Sequence, residues 1–383
     1  MLGGKRLSRT FTIKIIQVKK NPYRGWISLG IQILLVQWIA CFPHTVEQLY
    51  STVFYRWWDG IIRRFFAYFS FSFGDVCYAI LLLSGLFTLL RWKKTTTKEK
   101  MSRLGKFLAG FYFFFQLSWG LNYYRQPLSV KWHLEPKYTA VELRDFTEKL
   151  ITKTNAIQLN ITKNRNLKVI VPYSETELLS KGIEGYRKLA QIHPEINYGV
   201  GSVKSSLWKT PLSYMGFSGY LNPFTHEAQV NTLMPKYSQS NVICHEMAHQ
   251  TGLASESECN FIGFLAGYHH PDQYFQYSAS TAALKYCMNA LAKQNPEAFD
   301  RLKIKIHAGV LENFKESEQF WNQYDTFIDK GFHGFYDRFL KINQQKDGME
   351  GYSKFVGLLI NYNKTIQNIN SNYTLMKLKK WKN

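Results

Sequence analysis

The residues with the clearest chemical potential form the pattern His-Glu-x-x-His at positions 245–249. On an α-helix, side chains four residues apart lie on the same face, so His245 and His249 would form a pair of imidazole ligands one turn apart. A catalytic zinc ion takes three protein ligands and leaves a fourth position for water. A carboxylate beside that water can accept its proton, and Glu246 is placed to do so. The pattern therefore predicts a zinc site that hydrolyses peptide bonds.

Two glutamates shortly after the motif compete to be the third ligand. If Ser255 caps the next helix, Glu258 falls at its third position, where it is expected to bond back to the Ser255 amide. Glu256 then remains in the first turn and is the predicted ligand, with Glu258 or a more distant residue as alternatives. Gly252 permits the tight turn that so short a connection requires.

Other residues carry weaker signals. Tyr277 and His226 could stabilise the oxyanion of a tetrahedral intermediate, and a structural role is the alternative for each. The segment 227–231 is predicted to be a strand whose edge binds an extended peptide, or else an ordinary sheet strand. Helix packing and capping explain the polar residues near the C-terminus, Tyr336 among them.

Three apolar runs precede the motif, at about 26–42, 76–92 and 104–124. Each is near the lower end of the roughly 17–25 residues that a membrane-spanning helix requires, and each has aromatic residues at its ends. We therefore expect three transmembrane helices within residues 1–125. Buried core helices of a soluble protein are the alternative.

The positive charge is concentrated beside these runs. The net charge is +21, and residues 1–25 and 91–106 carry seven Lys or Arg each, against the single acid Glu99. Because basic segments stay in the cytoplasm, residues 126–383 are expected to lie outside it. No nucleic-acid-binding motif accompanies the charge, so nucleic acid is not an expected partner.

The segment after residue 125 predicts an α+β domain. Thr139 with Glu142 and Ser174 with Glu177 form capping boxes, each at the start of a helix. Residues 167–171 alternate as a β-branched strand, and the Gly- and Pro-rich stretch 196–235 is typical of strands and turns. From Ser255 onward the pattern is almost entirely helical, which gives a small sheet followed by many helices.

Several motifs together resemble a known group of proteins. They are Pro-Phe-Thr-x-Glu-Ala-Gln-Val-Asn at 223–231, His-Glu-x-x-His-Gln-x-Gly at 245–252, Glu-x-Glu-x-Asn-Phe at 256–261, Tyr-Ser-Ala at 277–279, and Tyr-Asp-x-Phe-Leu-Lys-x-Asn at 336–343 followed by Asp347-Gly348. The set resembles an uncharacterised family of bacterial membrane proteins with N-terminal spans and a predicted zincin-like zinc peptidase domain. The pair Glu256 and Asn260 resembles the gluzincin pattern, which implies that Asn260 orients a zinc-bound histidine.

The sequence thus predicts a multi-pass protein of a bacterial cytoplasmic membrane, with an extracytoplasmic metallopeptidase domain. One Zn²⁺ ion is the expected cofactor, and peptides or proteins are the expected substrates. The alternative is a non-catalytic, zinc-containing scaffold that binds a partner from the membrane. A closed four-ligand site would favour this alternative, whereas Glu246, which has no use in a structural site, argues against it.

Overall fold

A computed structural model describes residues 21–91, 96–343 and 354–367, most of which are helical. In chain order the α-helices are α1 (Arg24–Ile39), α2 (Pro43–Thr45), α3 (Tyr55–Ala67), α4 (Phe73–Leu90), α5 (Thr97–Ser118), α6 (Leu128–Lys131), α7 (Ala140–Thr162), α8 (Glu175–Ile192), α9 (Lys209–Tyr214), α10 (Lys236–Gln250), α11 (Glu256–Tyr268), α12 (Gln273–Gln294), α13 (Pro296–Lys303), α14 (Ala308–Asn322), α15 (Phe327–Ile342) and α16 (354–367). A π-helical segment, Val46–Phe54, joins α2 to α3. Most of the basic N-terminal arm, and the Asp347-Gly348 pair, lie outside the described residues.

One small sheet contains the strands of the described chain, β1 (Val203–Ser205), β2 (Gly219–Leu221) and β3 (Ala228–Val230). β3 is central, parallel to β1 and antiparallel to β2. The strand predicted at 227–231 is confirmed as β3, but its two neighbours leave it no free edge. The predicted α+β class is wrong, because this sheet of three-residue strands is a minor part of a predominantly helical fold.

The prediction of a strand at 167–171 is also wrong. No strand of the described chain lies beside this segment, and its backbone bonds to a side chain: the Val169 N–H donates to Asn313 Oδ1 (2.9 Å), and Asn313 Nδ2 donates to the Val169 carbonyl (3.2 Å). Val169 and Val171 are buried in the main core. Their apolar character therefore reflects packing against helices and not pairing in a sheet.

Two helices begin where their capping boxes predict. Thr139 precedes α7 and exchanges hydrogen bonds with Glu142, and Ser174 precedes α8 and does the same with Glu177. Each box satisfies amide groups that the first turn leaves unpaired, which fixes the start of the helix. α8 then packs against α10 and α11 through the main core.

The prediction of three membrane spans is wrong. Among the described residues, α4 by itself is long and apolar enough to cross a bilayer, and α1 qualifies only together with Pro43–Ala67, from which it is bent by 94°. α5 does not qualify, because its first half carries four Lys or Arg and its last turn buries the polar Gln116 and Ser118. The one or two apolar helices, with largely exposed side chains, indicate association with a membrane.

Residues before position 125 also form part of the interior. A second core joins the helices at the start of the chain to the turn after α10; it contains Val36, Ala40, Val46, Tyr50, Tyr55, Trp119, Tyr124 and Ala254. The Tyr55 hydroxyl donates to the Gln250 carbonyl (3.3 Å), and the Arg125 guanidinium donates to the Gly252 carbonyl (2.7 Å). These contacts hold the C-terminal end of α10 in place.

Two buried carboxylates bind the N-terminus of α4 to the sheet. Glu227, next to β3, accepts hydrogen bonds from the first amides of α4, including that of Gly74 (2.6 Å). Asp75 in α4 accepts from the Leu207 amide (2.6 Å) and from the Tyr220 hydroxyl on β2. Carboxylates at a helix N-terminus are stabilised by its unpaired amides and by the helix dipole. The most apolar helix is therefore fixed at one end to the sheet.

Candidate metal centre

α10 presents the two histidines of the motif on one face. Their ring centroids lie 4.9 Å apart. The chain turns at Gly252, which has a φ of +85°, and α11 begins at Glu256. Glu256 Oε2 lies 3.2 Å from His245 Nε2 and 3.7 Å from His249 Nε2. The two predicted histidines and the preferred third residue therefore converge on one point.

Close packing of α11 against α10 produces this convergence. A Cβ at Gly263 on α11 would lie 2.8 Å from the backbone nitrogen of His245, so a larger residue would force the helices apart. The positive φ at Gly252 lets the connecting turn stay short, because glycine adopts this conformation without strain. A side chain in the first turn of α11 can consequently reach both imidazoles.

The three side chains fit a tetrahedral zinc ion. One potential ligand atom from each of His245, His249 and Glu256 lies within 4.8 Å of the others. Zinc bonds of about 2.0–2.1 Å place tetrahedral ligand atoms roughly 3.4 Å apart, close to the separations between Glu256 and the imidazoles. His249 Nδ1 contacts the Leu253 carbonyl (2.8 Å), which leaves Nε2 on the side of Glu256. The donor set and its spacing are thus suited to the predicted ion, whose presence stays a prediction.

Glu246 lies beside the three ligands with its side chain buried. Its Oε2 atom has no hydrogen-bond partner among the described residues. Strand β2 passes next to it, since a Cβ at Gly219 would lie 2.6 Å from Glu246 Oε1. Burial raises the pKa of Glu246 to about 7, although the two imidazoles lower it. A carboxyl group in that range can both accept and release a proton near neutral pH.

Glu258 and Asn260 have surroundings that differ from those predicted. Glu258 accepts a hydrogen bond from the Leu128 amide (2.7 Å) in place of the predicted bond to Ser255, and it is not part of the ligand cluster found among the described residues. Asn260 lines the cavity beside the ligands. The histidine-orienting contact predicted for Asn260 is made instead by the Leu253 carbonyl, because the turn after α10 brings that carbonyl to His249.

Tyr277 and His226 do not line the cavity at the cluster, so the oxyanion role predicted for either is not supported. The Tyr277 hydroxyl donates to Asn313 Oδ1 (2.8 Å) within the core. His226 is fully buried, with Nε2 2.9 Å from Ser118 Oγ and Nδ1 3.0 Å from Asp59 Oδ1. Both side chains join helices to their neighbours, which is the structural alternative.

Tyr336, for which the sequence predicts only helix packing, lies at the cluster. Its hydroxyl on α15 donates to Glu256 Oε1 (2.8 Å), and its ring contacts Phe217 with centroids 5.1 Å apart. Spacing could not reveal this contact, because Tyr336 and Glu256 are 80 positions apart. The one available signal was that Tyr336 belongs to the C-terminal motif at 336–343.

A cavity of about 1800 Å³ borders the cluster. Its walls include the three ligands, Glu246, all of β2, and parts of α4, α5 and α12. The lining from α4 and α5 is apolar or aromatic and consists of Tyr78, Leu81, Leu82, Phe111 and Phe115. Because pockets for drug-sized ligands usually measure about 300–1,000 Å³, this cavity has room for several residues of an extended chain.

The fold and this site define a mostly helical, membrane-associated protein with a His-His-Glu cluster and an adjacent buried carboxylate. Residues 50–360 match the family described as "Protein of unknown function (DUF3810)", and the chain belongs to this family. The resemblance to an uncharacterised family is thereby confirmed, and the family's description names no activity. No curated protein and no solved structure matches the chain.

Proposed function

We propose that the protein is a membrane-anchored zinc metallopeptidase. The observation that carries this proposal is the meeting of three potential ligand side chains and one buried carboxylate, with an oxygen that has no hydrogen-bond partner among the described residues, at a single large cavity. A purely structural cluster would have no use for the carboxylate, and burying it without a partner is unfavourable for folding. Such an arrangement is expected where proton transfer is needed.

In the proposed site, His245, His249 and Glu256 would hold one Zn²⁺ ion, and the bound ion would polarise the scissile carbonyl and lower the pKa of water. Glu246 accepts a proton from the attacking water as the water oxygen bonds to the carbonyl carbon. It then gives this proton to the amine nitrogen as the C–N bond breaks. Tyr336 acts as a positioning residue, because its bond to one oxygen of Glu256 directs the other toward the imidazoles.

The sheet supports a peptide as the substrate. β2 is an edge strand, paired with β3 on one side, and Gly219 brings its backbone against Glu246. An extended peptide can add to such an edge by main-chain hydrogen bonds. Its peptide bonds would then lie near the Glu246 carboxylate. β2 thus takes the peptide-binding role first considered for residues 227–231.

The charge distribution supports an orientation in a bacterial cytoplasmic membrane. α4 is bound to the sheet at its N-terminal end, and its other end leads into the basic segment 91–106. Lys- and Arg-rich segments remain on the cytoplasmic side. The basic segment 91–106 would accordingly lie on the cytoplasmic side.

A non-catalytic zinc scaffold is the alternative function. Structural zinc sites are closed by four protein ligands, whereas catalytic sites keep one position open. The cluster found among the described residues has three ligand side chains and borders a cavity, which favours catalysis.

The proposal is tested with the full-length protein in detergent and its Glu246→Gln variant. Elemental analysis should find about one zinc per chain in both, because Glu246 is not a ligand. The native protein should cleave a mixed-sequence peptide library, read by mass spectrometry, and the variant should be slower by roughly 10²–10⁴-fold.

A Glu256→Ala variant is the matched control, and it should lose zinc and activity together. Equal cleavage by the native protein and Glu246→Gln would refute the assigned role of Glu246. Zinc in the native protein without cleavage of any peptide would favour the scaffold.

A further inference from the structure

The cavity at the metal centre continues onto α4, the described helix that is by itself long and apolar enough to cross a bilayer. Leu81 and Leu82 of α4 line it on one side, and Phe111 and Phe115 of α5 line it on another. Leu82 is nine positions after the start of α4, so the cavity extends about 13 Å along this helix from its attached end. The catalytic cavity therefore reaches into the zone where α4 exposes apolar side chains.

The cavity occupies the space between α4 and α5, and this space is called the gap. α5 packs closely along α1, since a Cβ at Gly25 would lie 2.4 Å from the Gly105 carbonyl carbon and Trp26 Nε1 donates to the Met101 carbonyl (3.0 Å). α4 makes few contacts with either helix and is held at its N-terminal end by the sheet. Leu82 of α4 lines the gap and is 65% exposed, so the cavity meets the exposed apolar surface of α4.

Aromatic side chains line the cavity between α4 and the candidate metal centre. Tyr78 of α4 stacks on Tyr220 of β2 with ring centroids 6.2 Å apart, and Trp119 lies edge-on to His249 at 6.2 Å. Both pairs border the cavity. The wall between the apolar helix and the cluster is therefore largely aromatic.

Building on the proposed function, we infer that the substrate is a polypeptide anchored in the membrane by its own apolar segment. It reaches the metal centre through the gap between α4 and α5 and is cleaved beside its membrane segment. The apolar walls match such a segment. At the inner end of the cavity the edge of β2 provides backbone hydrogen bonds for an extended chain, which favours a polypeptide over a lipid.

The test uses the full-length protein in vesicles of phosphatidylethanolamine and phosphatidylglycerol. The probe is a mixed-sequence peptide library in two forms, free in solution or fused to a Leu/Ala helix of about 20 residues that anchors it in the bilayer. The anchored form should be cleaved roughly tenfold faster or more, because the protein and substrate share one membrane.

A matched pair of variants separates use of the gap from simple confinement to the membrane. Leu82 and Leu83 are both 65% exposed, but Leu82 lines the cavity and Leu83 does not. Leu82→Trp should lower the ratio of anchored to free cleavage by roughly fivefold or more, because the larger side chain narrows the passage. Leu83→Trp should leave the ratio unchanged. Equal ratios in the two variants would overturn the inference.

Photo-cross-linking tests the route without relying on catalysis. A photoreactive residue replaces Leu82 or Leu83 in full-length Glu246→Gln. Capture of the anchored peptide at position 82 and not at 83 would support the route, even if the native protein cleaves neither form and the peptidase proposal fails. Equal capture at both positions would overturn it. So would capture of lipid at position 82 that the anchored peptide does not displace, which would indicate a lipid occupant.

Discussion

The two oxygens of the Glu256 carboxylate contact different groups. Oε2 faces the two imidazoles, and Oε1 accepts the hydrogen bond of Tyr336. A carboxylate held in this way presents one oxygen to a metal ion in a fixed direction. Groups that orient a metal ligand help to set how tightly the metal is bound.

Replacing Tyr336 by Phe should therefore weaken zinc binding. The change removes the hydroxyl and keeps the ring against Phe217, so we expect a loss of affinity of about 10–100-fold. Competition with a chelator measures it.

The matched control is Tyr277→Phe, which removes a buried hydroxyl that bonds to Asn313 and does not line the cavity. This variant should lose about 1 kcal/mol of stability and keep its zinc affinity. Similar zinc affinities for the two variants would show that Tyr336 only fills space.

Local spacing predicts much of the candidate centre and nothing of its distant partners. His245, His249 and Glu256 lie on two consecutive helices, and the structure brings them together as the helical period and the turn at Gly252 suggest. Glu258 was expected to bond within its own helix, but its partner, Leu128, is 130 positions away. A contact of that separation depends on tertiary packing, which one sequence does not encode in any local pattern.

At the scale of elements, the junction between α4 and the sheet connects the most apolar helix with the candidate metal centre. Asp75 bonds to Tyr220 on β2, and the adjacent Gly219 backbone contacts Glu246. A shift of α4 would thus move the strand that borders the Glu246 carboxylate.

Asp75→Asn should loosen this junction. The Asp75 carboxylate accepts hydrogen bonds from three donors, which are the Ser206 hydroxyl, the Leu207 amide and the Tyr220 hydroxyl. An asparagine side chain has only one acceptor oxygen, so it cannot accept all three bonds. Loss of such buried bonds costs about 1–3 kcal/mol, and thermal unfolding in detergent should detect it. Asp145→Asn on α7 is the control, because Asp145 is exposed and should change stability little. A stable Asp75→Asn protein would contradict the assigned role of the junction.

Elements that depend on local signals were predicted well, and those that depend on packing were not. The capping boxes at Thr139 and Ser174 set the starts of α7 and α8, because both partners of each box lie within one turn. α5 was predicted to be a span from its aromatic run. Its last turn instead buries Ser118 against His226, a residue 108 positions later. Apolar composition alone could not distinguish lipid contact from contact with a distant segment.

At the scale of the whole molecule, the apolar helices and the metal-binding unit share one interior. The second core crosses position 125, where the sequence places a domain boundary, and joins α3 and the residues after α5 to the turn that follows α10. Arg125 itself bonds to Glu47 (2.6 Å) and to the Gly252 carbonyl (2.7 Å). The metal centre is thus supported from both sides of this boundary.

A fragment of residues 126–383 should accordingly fail to form the centre. Without the preceding helices, Gln250 and Glu227 lose buried partners and the second core is exposed, so we expect aggregation and no bound zinc. Size-exclusion chromatography with elemental analysis tests this, with the full-length protein in detergent as the control. A monomeric fragment that binds one zinc would show that the metal-binding unit folds independently.

The attachment of α4 also sets an order of events during biosynthesis. Asp75 is 131 positions or more from the Ser206, Leu207 and Tyr220 groups that bond to it. The ribosome therefore completes α4 long before these partners exist, and until they arrive the carboxylate must stay hydrated. Contacts between such distant segments form late in folding. A newly made chain would thus complete the candidate metal centre only after the sheet has been made and joined to α4, long after α4 itself.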